Sequence, residues 1–252
     1  TIVATGSGPR FMIFDQLIKS FNSEKFILEK FLFQEANSYR LAADLINGQN
    51  SDVYVNCPLR TWPIFKAIKE EISHLNAPVT IHYYGGDWIG LGCNSIHYID
   101  VLAFITESFL ARVDASKIDS DILESKRPGY IEFTGTLLCE YRDGSRLEIE
   151  SIRNSSIDSK IVIRCEDREW IIDELSGNYQ YQKNSEIMKY DKFELPYQSD
   201  LTHKMLSQLV DYNTCELPDF SESSSYHLMF LHEMLNKYNE INNSKSSHLP
   251  IT

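Results

Sequence analysis

The spacing of apolar residues changes character along this chain, and the changes divide it. Over residues 1–57, short apolar runs alternate with stretches of helical period. Residues 1–5 (TIVAT) form the first run. Residues 10–21 then carry Phe11, Phe14, Leu17, Ile18 and Phe21 on one side, the three-to-four spacing of a helix face. Residues 25–28 read as a second strand, residues 36–46 as a second helix and residues 52–56 (DVYVN) as a third strand. This alternation predicts β-α-β-α-β and a parallel sheet, whose ligands gather along the C-terminal strand ends.

Residues 64–72 follow as a helix and residues 78–84 (PVTIHYY) as a strand leading into residues 85–105, GGDWIGLGCNSIHYIDVLAFI. The glycines and the Asp87-Trp88 pair suit a loop. The rest is a helix with Ile96, Ile99, Leu102, Phe104 and Ile105 on its core face. From residue 128 the period shortens to two. Residues 128–142 alternate, Asp143-Gly144 marks a type I′ hairpin, and residues 145–152 return. Strands at 160–165, 170–173 and 179–182 come next, then helices at 201–212 and 221–239. Residues 241–252 are polar and expected to form a flexible tail. The fold class expected is therefore α/β and then α+β: a short parallel sheet followed by a large, mostly antiparallel open sheet.

Candidate chemistry concentrates in residues 85–105. Cys93, Asn94, His97 and Asp100 fall three and four apart, on neighbouring surfaces of one helix start. The cluster is either a site of proton chemistry or a set of ordinary roles, with Asn94 as N-cap, Asp100 as a surface charge and His97 as a polar contact. Gly6-Ser7-Gly8-Pro9-Arg10-Phe11 begins like a dinucleotide fingerprint, but Phe11 is too bulky for the third glycine position. Its N–H groups still open a helix. Glu29-Lys30 ends the second strand, where a lysine can face a developing alkoxide or simply form a solvated pair.

Composition narrows the classes. The chain has 252 residues, 42% of them hydrophobic, enough for a sizeable core. A net charge of −12 argues against nucleic acid as a partner. No apolar run reaches the length of about eighteen residues expected of a membrane span. The cysteines (57, 93, 139, 165 and 215) are odd in number and lack CxxC spacing, which fits free thiols in a reducing cytoplasm and gives no metal-ligand spacing. The first residues read as a buried strand without an initiating methionine, so further sequence is expected upstream.

Five stretches in order, TIVATG, FILEKFL, VNCPLRTWP, GLGCNSIHYIDVL and YIEFTGTL with its hairpin, resemble the glucose–fructose oxidoreductase / inositol dehydrogenase / MocA family. FILEKFL is similar to the family's EKP motif and GLGCNSIHYIDVL to its DxGxHxxD helix. The resemblance implies that residues 1–57 are the C-terminal part of a Rossmann dinucleotide-binding domain. Residues 58–240 would form a substrate and oligomerisation domain, pairing as a homodimer or tetramer through its sheet. It implies hydride transfer between NAD or NADP and a sugar, sugar acid or nucleotide sugar, with the glycine fingerprint lying upstream. Lys30 matches the active-site lysine and His97 the histidine, with Asn94 beside it. Thr5, Gly6, Glu29 and Lys30 would lie along the cofactor; Arg60, Trp88, Cys93, Asn94 and His97 along a carbohydrate substrate. Arg60 either meets an anionic substrate or anchors the domain junction. The segment SKRPGYIEFTGTL resembles a branch associated with surface-sugar or nonulosonic-acid biosynthesis. There Lys126 and Arg127 either meet a phosphate or carboxylate or are ordinary exposed charges.

Two departures stand out. Phe31 replaces the family's proline after the lysine. A cis bond before a non-proline residue costs about 3 kcal/mol, so a trans bond with Lys30 displaced is expected. Cys93 stands where a carboxylate precedes the histidine, and Asn94 cannot stabilise an imidazolium as a carboxylate does. Both departures also fit a non-catalytic, ligand-binding member, or an isolated dimerisation module.

Overall fold

The computed structural model of the chain describes all residues except Asn22 and the side chain of Gln198. The first part is β1 (Ile2–Val3), α1 (Ser7–Ser20), β2 (Lys25–Glu29), α2 (Ala36–Gln49) and β3 (Asp52–Asn56). Its strands pair in parallel in the order β1-β2-β3. In β2, Phe26, Ile27 and Leu28 are all buried, as a parallel strand covered on both faces requires. Phe14 of α1 meets Phe26 edge-to-face at 5.4 Å. On the other face Ile27 packs with Leu217 and with Met205 and Leu209 of α5 (Gln198–Asp211).

A short 3-10 turn (Pro58–Thr61) and α3 (Pro63–Ile72) lead to β4 (Thr80–Gly86) and α4 (Leu91–Thr106). The remaining strands are β5 (Leu110–Ile118), β6 (Leu123–Glu124), β7 (Ile131–Glu132), β8 (Gly135–Tyr141), β9 (Arg146–Ile152), β10 (Lys160–Cys165), β11 (Arg168–Asp173), β12 (Asn178–Lys183) and β13 (Glu186–Lys192). The helix α6 (Phe220–Asn242) follows α5. Eight strands form one sheet in the order β13-β12-β11-β10-β4-β9-β8-β5, antiparallel except where β4 runs parallel to β9. Ile81, Tyr83, Leu147 and Ile149 alternate inward, and α4 and α6 pack against β9 and β5. The buried side chains of both parts join in one continuous core, from Val3 to Ile172 and on to Met234.

The architecture is the expected one, with local differences. The sequence pattern missed β5 because its pairing with β8 shifts register twice, which breaks strict alternation. It missed β13 because this edge strand is exposed along its whole length and has no inward face to set a period. The β8–β9 connection is not type I′, since only Gly144 has positive φ (89°), whereas that turn needs both central residues there. Tyr141 and Ser145 instead close a three-residue loop through the Tyr141 N–H on Ser145 O (2.9 Å), ending in the left-handed glycine.

The tail is also corrected. Leu249 and Ile251 are fully buried. The Leu249 N–H donates to Gln34 O (3.1 Å), Gln34 Nε2 to Ile251 O (2.9 Å) and the Ile131 N–H to Pro250 O (2.9 Å). Polar composition hid two apolar residues at alternate positions, which insert between the start of α1 and β7. Ile251→Ala should therefore cost about 2–5 kcal/mol in urea denaturation, the range of buried Ile-to-Ala changes; a mobile tail would show no change.

Candidate active site at the end of strand β2

The site begins with how the chain leaves β2. The Lys30–Phe31 peptide is cis, contrary to the trans bond expected. The loop is held from both sides. Buried Arg10 of α1 donates to the carbonyls of Thr5, Phe31 and Leu32, the last at 3.0 Å. The Phe31 ring is buried against His227 (4.8 Å) and Phe230 (5.7 Å) of α6. Burial lowers the Arg10 pKa to about 10, which leaves the group charged at neutral pH. The Lys30 side chain reaches across to α4. Its Nζ donates to Asn94 Oδ1 (3.0 Å) and to Cys93 O (3.1 Å).

Those two acceptors lie in the first turn of α4. Asn94 is not the N-cap: the helix begins at Leu91, capped by Gly90 at φ 75°. A side chain at Gly90 would bring a Cβ to 2.6 Å from Cys93 Sγ, so the turn needs glycine on two counts. The Asn94 amide is engaged at both ends, since Nδ2 donates to Ile89 O (2.9 Å). The helix start is satisfied from outside by Glu132 of β7, which accepts from the N–H groups of Gly92 (2.7 Å) and Cys93 (3.1 Å). A carboxylate there also meets the positive end of the helix dipole.

Glu132 is the site residue that sequence reasoning missed. Only 4% exposed, it supplies a carboxylate beside Cys93, where the helix itself lacks one. The available signal was an acid on the inward side of an alternating strand. Burial, and then the nearby Glu132 charge, push the Cys93 thiol up to about 12, so it stays neutral.

Lys30, Lys126, Arg127, Glu29 and Glu132 converge on a cleft of about 320 Å³. Trp88, 52% exposed, forms one wall, and Lys126 Nζ lies 5.2 Å from its ring centroid. Glu29 accepts from the Lys30 N–H (3.2 Å) and from Asn56 Nδ2 (2.7 Å). A cavity of about 410 Å³ between α3 and the start of β4 is larger but holds none of these groups.

His97 lies one turn further along α4 and does not line the cleft. It is half-buried, and its Nδ1 is buried without a hydrogen-bond partner. Burial, then the charges of Lys30 and His227, hold its pKa well below the usual histidine value. Thr5 Oγ1 and Asn56 Oδ1, near the C-terminal ends of β1 and β3, are likewise buried and unpartnered. Gly6 packs on Tyr130, whose Oη would lie 2.5 Å from an added Cβ.

Arg60 does not reach the cleft. It is 6% exposed and grips buried Asp100 with two hydrogen bonds (2.8 and 2.5 Å) and Glu222 with a third (2.8 Å). Its contacts tie the turn after β3 to α4 and α6. Asp100 is accordingly neither a surface charge nor part of the proton-transfer cluster. Burial raises its carboxyl to about 6 against the opposing pull of Arg60.

This α/β chain, with its parallel strands, large open sheet and lysine facing a helix start, has the fold of the glucose–fructose oxidoreductase / inositol dehydrogenase / MocA-type oxidoreductases. UDP-N-acetylglucosamine 3-dehydrogenase GnnA from Acidithiobacillus ferrooxidans superposes with a TM-score of 0.67 at 10% identity, over 94% of this chain and 76% of that one. An oxidoreductase from Agrobacterium radiobacter, in complex with NAD+, L-tartaric acid and magnesium, gives 0.69 at 11% identity over 96% and 77%. The super-repressor mutant of Gal80p from Saccharomyces cerevisiae gives 0.70 at 11% over 95% and 77%. No protein-family model and no curated sequence matches the chain.

Two outcomes follow from the buried charges. Arg60→Ala leaves Asp100 unpaired and should cost about 3–5 kcal/mol in urea denaturation; unchanged stability with weakened ligand binding would return Arg60 to the substrate site. His227 is fully buried, with Nδ1–H donating to Ser223 O (2.8 Å), and burial pushes its pKa down to about 3 from 6.5. In that window the unfolded chain takes up a proton that the folded chain refuses, so stability falls as pH falls. Between pH 6.5 and 4.5 this residue should account for a loss of about 2–3 kcal/mol. Urea midpoints at the two pH values should converge by that amount in His227→Asn.

Proposed function

We propose that the protein works as an NAD(P)-dependent oxidoreductase on a carbohydrate, with Lys30 and His97 as its reactive pair. The observation that carries this reading is the placement of Lys30 Nζ at the end of a parallel strand, 3.0 Å from Asn94 Oδ1 on the helix that bears His97. The nicotinamide group fits the residues present. Thr5 Oγ1 and Asn56 Oδ1, buried and unpartnered near the ends of β1 and β3, are the hydrogen-bonding atoms a bound dinucleotide would engage beside Glu29 and Lys30. Residues 1–57 then belong to the dinucleotide-binding domain and residues 58–240 to the substrate domain. The five free thiols fit a cytoplasmic setting, and no helix among the described residues is long and apolar enough to cross a membrane. Association into dimers or tetramers through the eight-stranded sheet belongs to the same reading.

When bound, the nicotinamide accepts or supplies the hydride. The chain's own residues handle the proton and the charge. In the oxidative direction the carbinol C–H electron pair departs as hydride, the O–H proton leaves toward His97, one helical turn behind the cleft wall, and a carbonyl remains. Burial and the charges of Lys30 and His227 keep the His97 imidazole neutral at pH 7, with a ring nitrogen free to accept, and make it a weaker base than a free histidine. Lys30 holds its ammonium where oxygen gains negative charge, oriented by Asn94 and the Cys93 carbonyl. Glu132 fixes the start of the helix that carries both partners. Lys126, Arg127 and the exposed Trp88 ring favour a substrate with an anionic group, a sugar acid or nucleotide sugar over a neutral sugar.

The test is calorimetric titration with NAD+ and NADP+, followed by a turnover screen of sugars, sugar acids and nucleotide sugars read from nicotinamide absorbance. Lys30→Ala and His97→Ala should lower turnover by about 10²–10⁴-fold, the usual contribution of acid–base groups, while cofactor affinity holds for His97→Ala. Sugar binding without turnover would favour a non-catalytic, ligand-binding member.

A further inference from the structure

A second cluster of chemistry-bearing side chains lies on the other face of the eight-stranded sheet, on its one parallel pair. His82 of β4 stands directly opposite Glu148 of β9, and Glu150 follows two residues along on the same face. The half-exposed imidazole Nε2 is 3.3 Å from Glu150 Oε2. One donor atom from each of His82, Glu148 and Glu150 lies within 4.8 Å of the other two. We propose that these three side chains form a mononuclear site for a divalent transition ion of the zinc class. The site lies on the sheet face through which the proposed dimers or tetramers would form, and its chemistry does not draw on the hydride-transfer site.

The spacing of the donors suits a single ion. Two donors that each lie about 2.0–2.1 Å from a tetrahedral ion are separated by roughly 3.3–3.4 Å, the edge of the coordination tetrahedron. Glu150 and His82 already sit at that spacing, with the Glu148 donor within 4.8 Å of both. The donor set, one imidazole nitrogen and two carboxylate oxygens, suits zinc or its neighbours.

The scaffold suits it as well. β4 and β9 are interior strands, hydrogen-bonded on both sides, so the backbone under the three side chains is rigid. The His82 ring packs on Tyr84 at 4.9 Å, which limits its rotation.

The test uses the full chain, stripped with a chelator and then titrated with Zn2+ by calorimetry and with Co2+ by visible spectroscopy. The expected result is one ion per chain, with the intense absorption of tetrahedral cobalt. His82→Ala, Glu148→Gln and Glu150→Gln should each weaken binding by at least about tenfold, a loss that even outer-sphere changes reach. Glu140→Gln, on the neighbouring strand β8, should bind as the parent does. These positions are at least partly exposed, and matched circular dichroism verifies that each variant folds. Binding that survives His82→Ala unchanged, or absence of binding at submillimolar metal, overturns the site.

Discussion

A guanidinium buried where three elements meet sets the placement of the two parts of this chain. Arg60 projects from the turn after β3, Asp100 from the middle of α4 and Glu222 from the first turn of α6. A buried ion costs several kcal/mol unless it is paired, so neither helix can rotate or slide without leaving charge uncompensated. With Asp100 fixed, the rotation of α4 is fixed. Its first turn then presents the Asn94 side chain and the Cys93 carbonyl to the end of β2.

The candidate site is therefore assembled by groups that never enter it. Arg10 and the Phe31 ring hold the segment that carries Lys30. Glu132 and Gly90 hold the helix start that receives it. Each belongs to a different element, so a small site depends on the whole fold being in place. This division also gives Cys93 a neutral, packed role, because the carboxylate comes from β7 instead of from the helix.

Much of this was legible in the sequence, for physical reasons. Period identified the helices and most strands, and β2, with Phe26, Ile27 and Leu28 all buried, read clearly as a parallel strand. Lys30 and Asn94 could be singled out because polar residues at a strand end and a helix start are local signals. What was not legible depends on distant partners. Arg60 and Asp100 are 40 residues apart, and nothing local to either shows that they meet. Glu132 stands 40 residues from Gly92, and the Phe31 loop is fixed by Arg10 and α6. Leu249 and Ile251 sit in a polar context that conceals their burial. The three sheet-face donors, His82 with Glu148 and Glu150, form no sequence motif, because register rather than spacing brings them together.

The position of β4 bears on how the chain is made. Its neighbours in the sheet are β9 and β10, both far downstream. After Gly86 leaves the ribosome, roughly 60–80 further residues must be synthesised before those strands are available, which takes roughly 3–16 s at cellular rates. Throughout that interval both edges of β4 are unpaired, and Ile81 and Tyr83 have no sheet to join. A nascent chain in this state presents two unpaired strand edges that can pair with a neighbouring chain. The insertion of an early strand between two late ones thus makes the order of synthesis, as well as the final packing, a constraint on this fold.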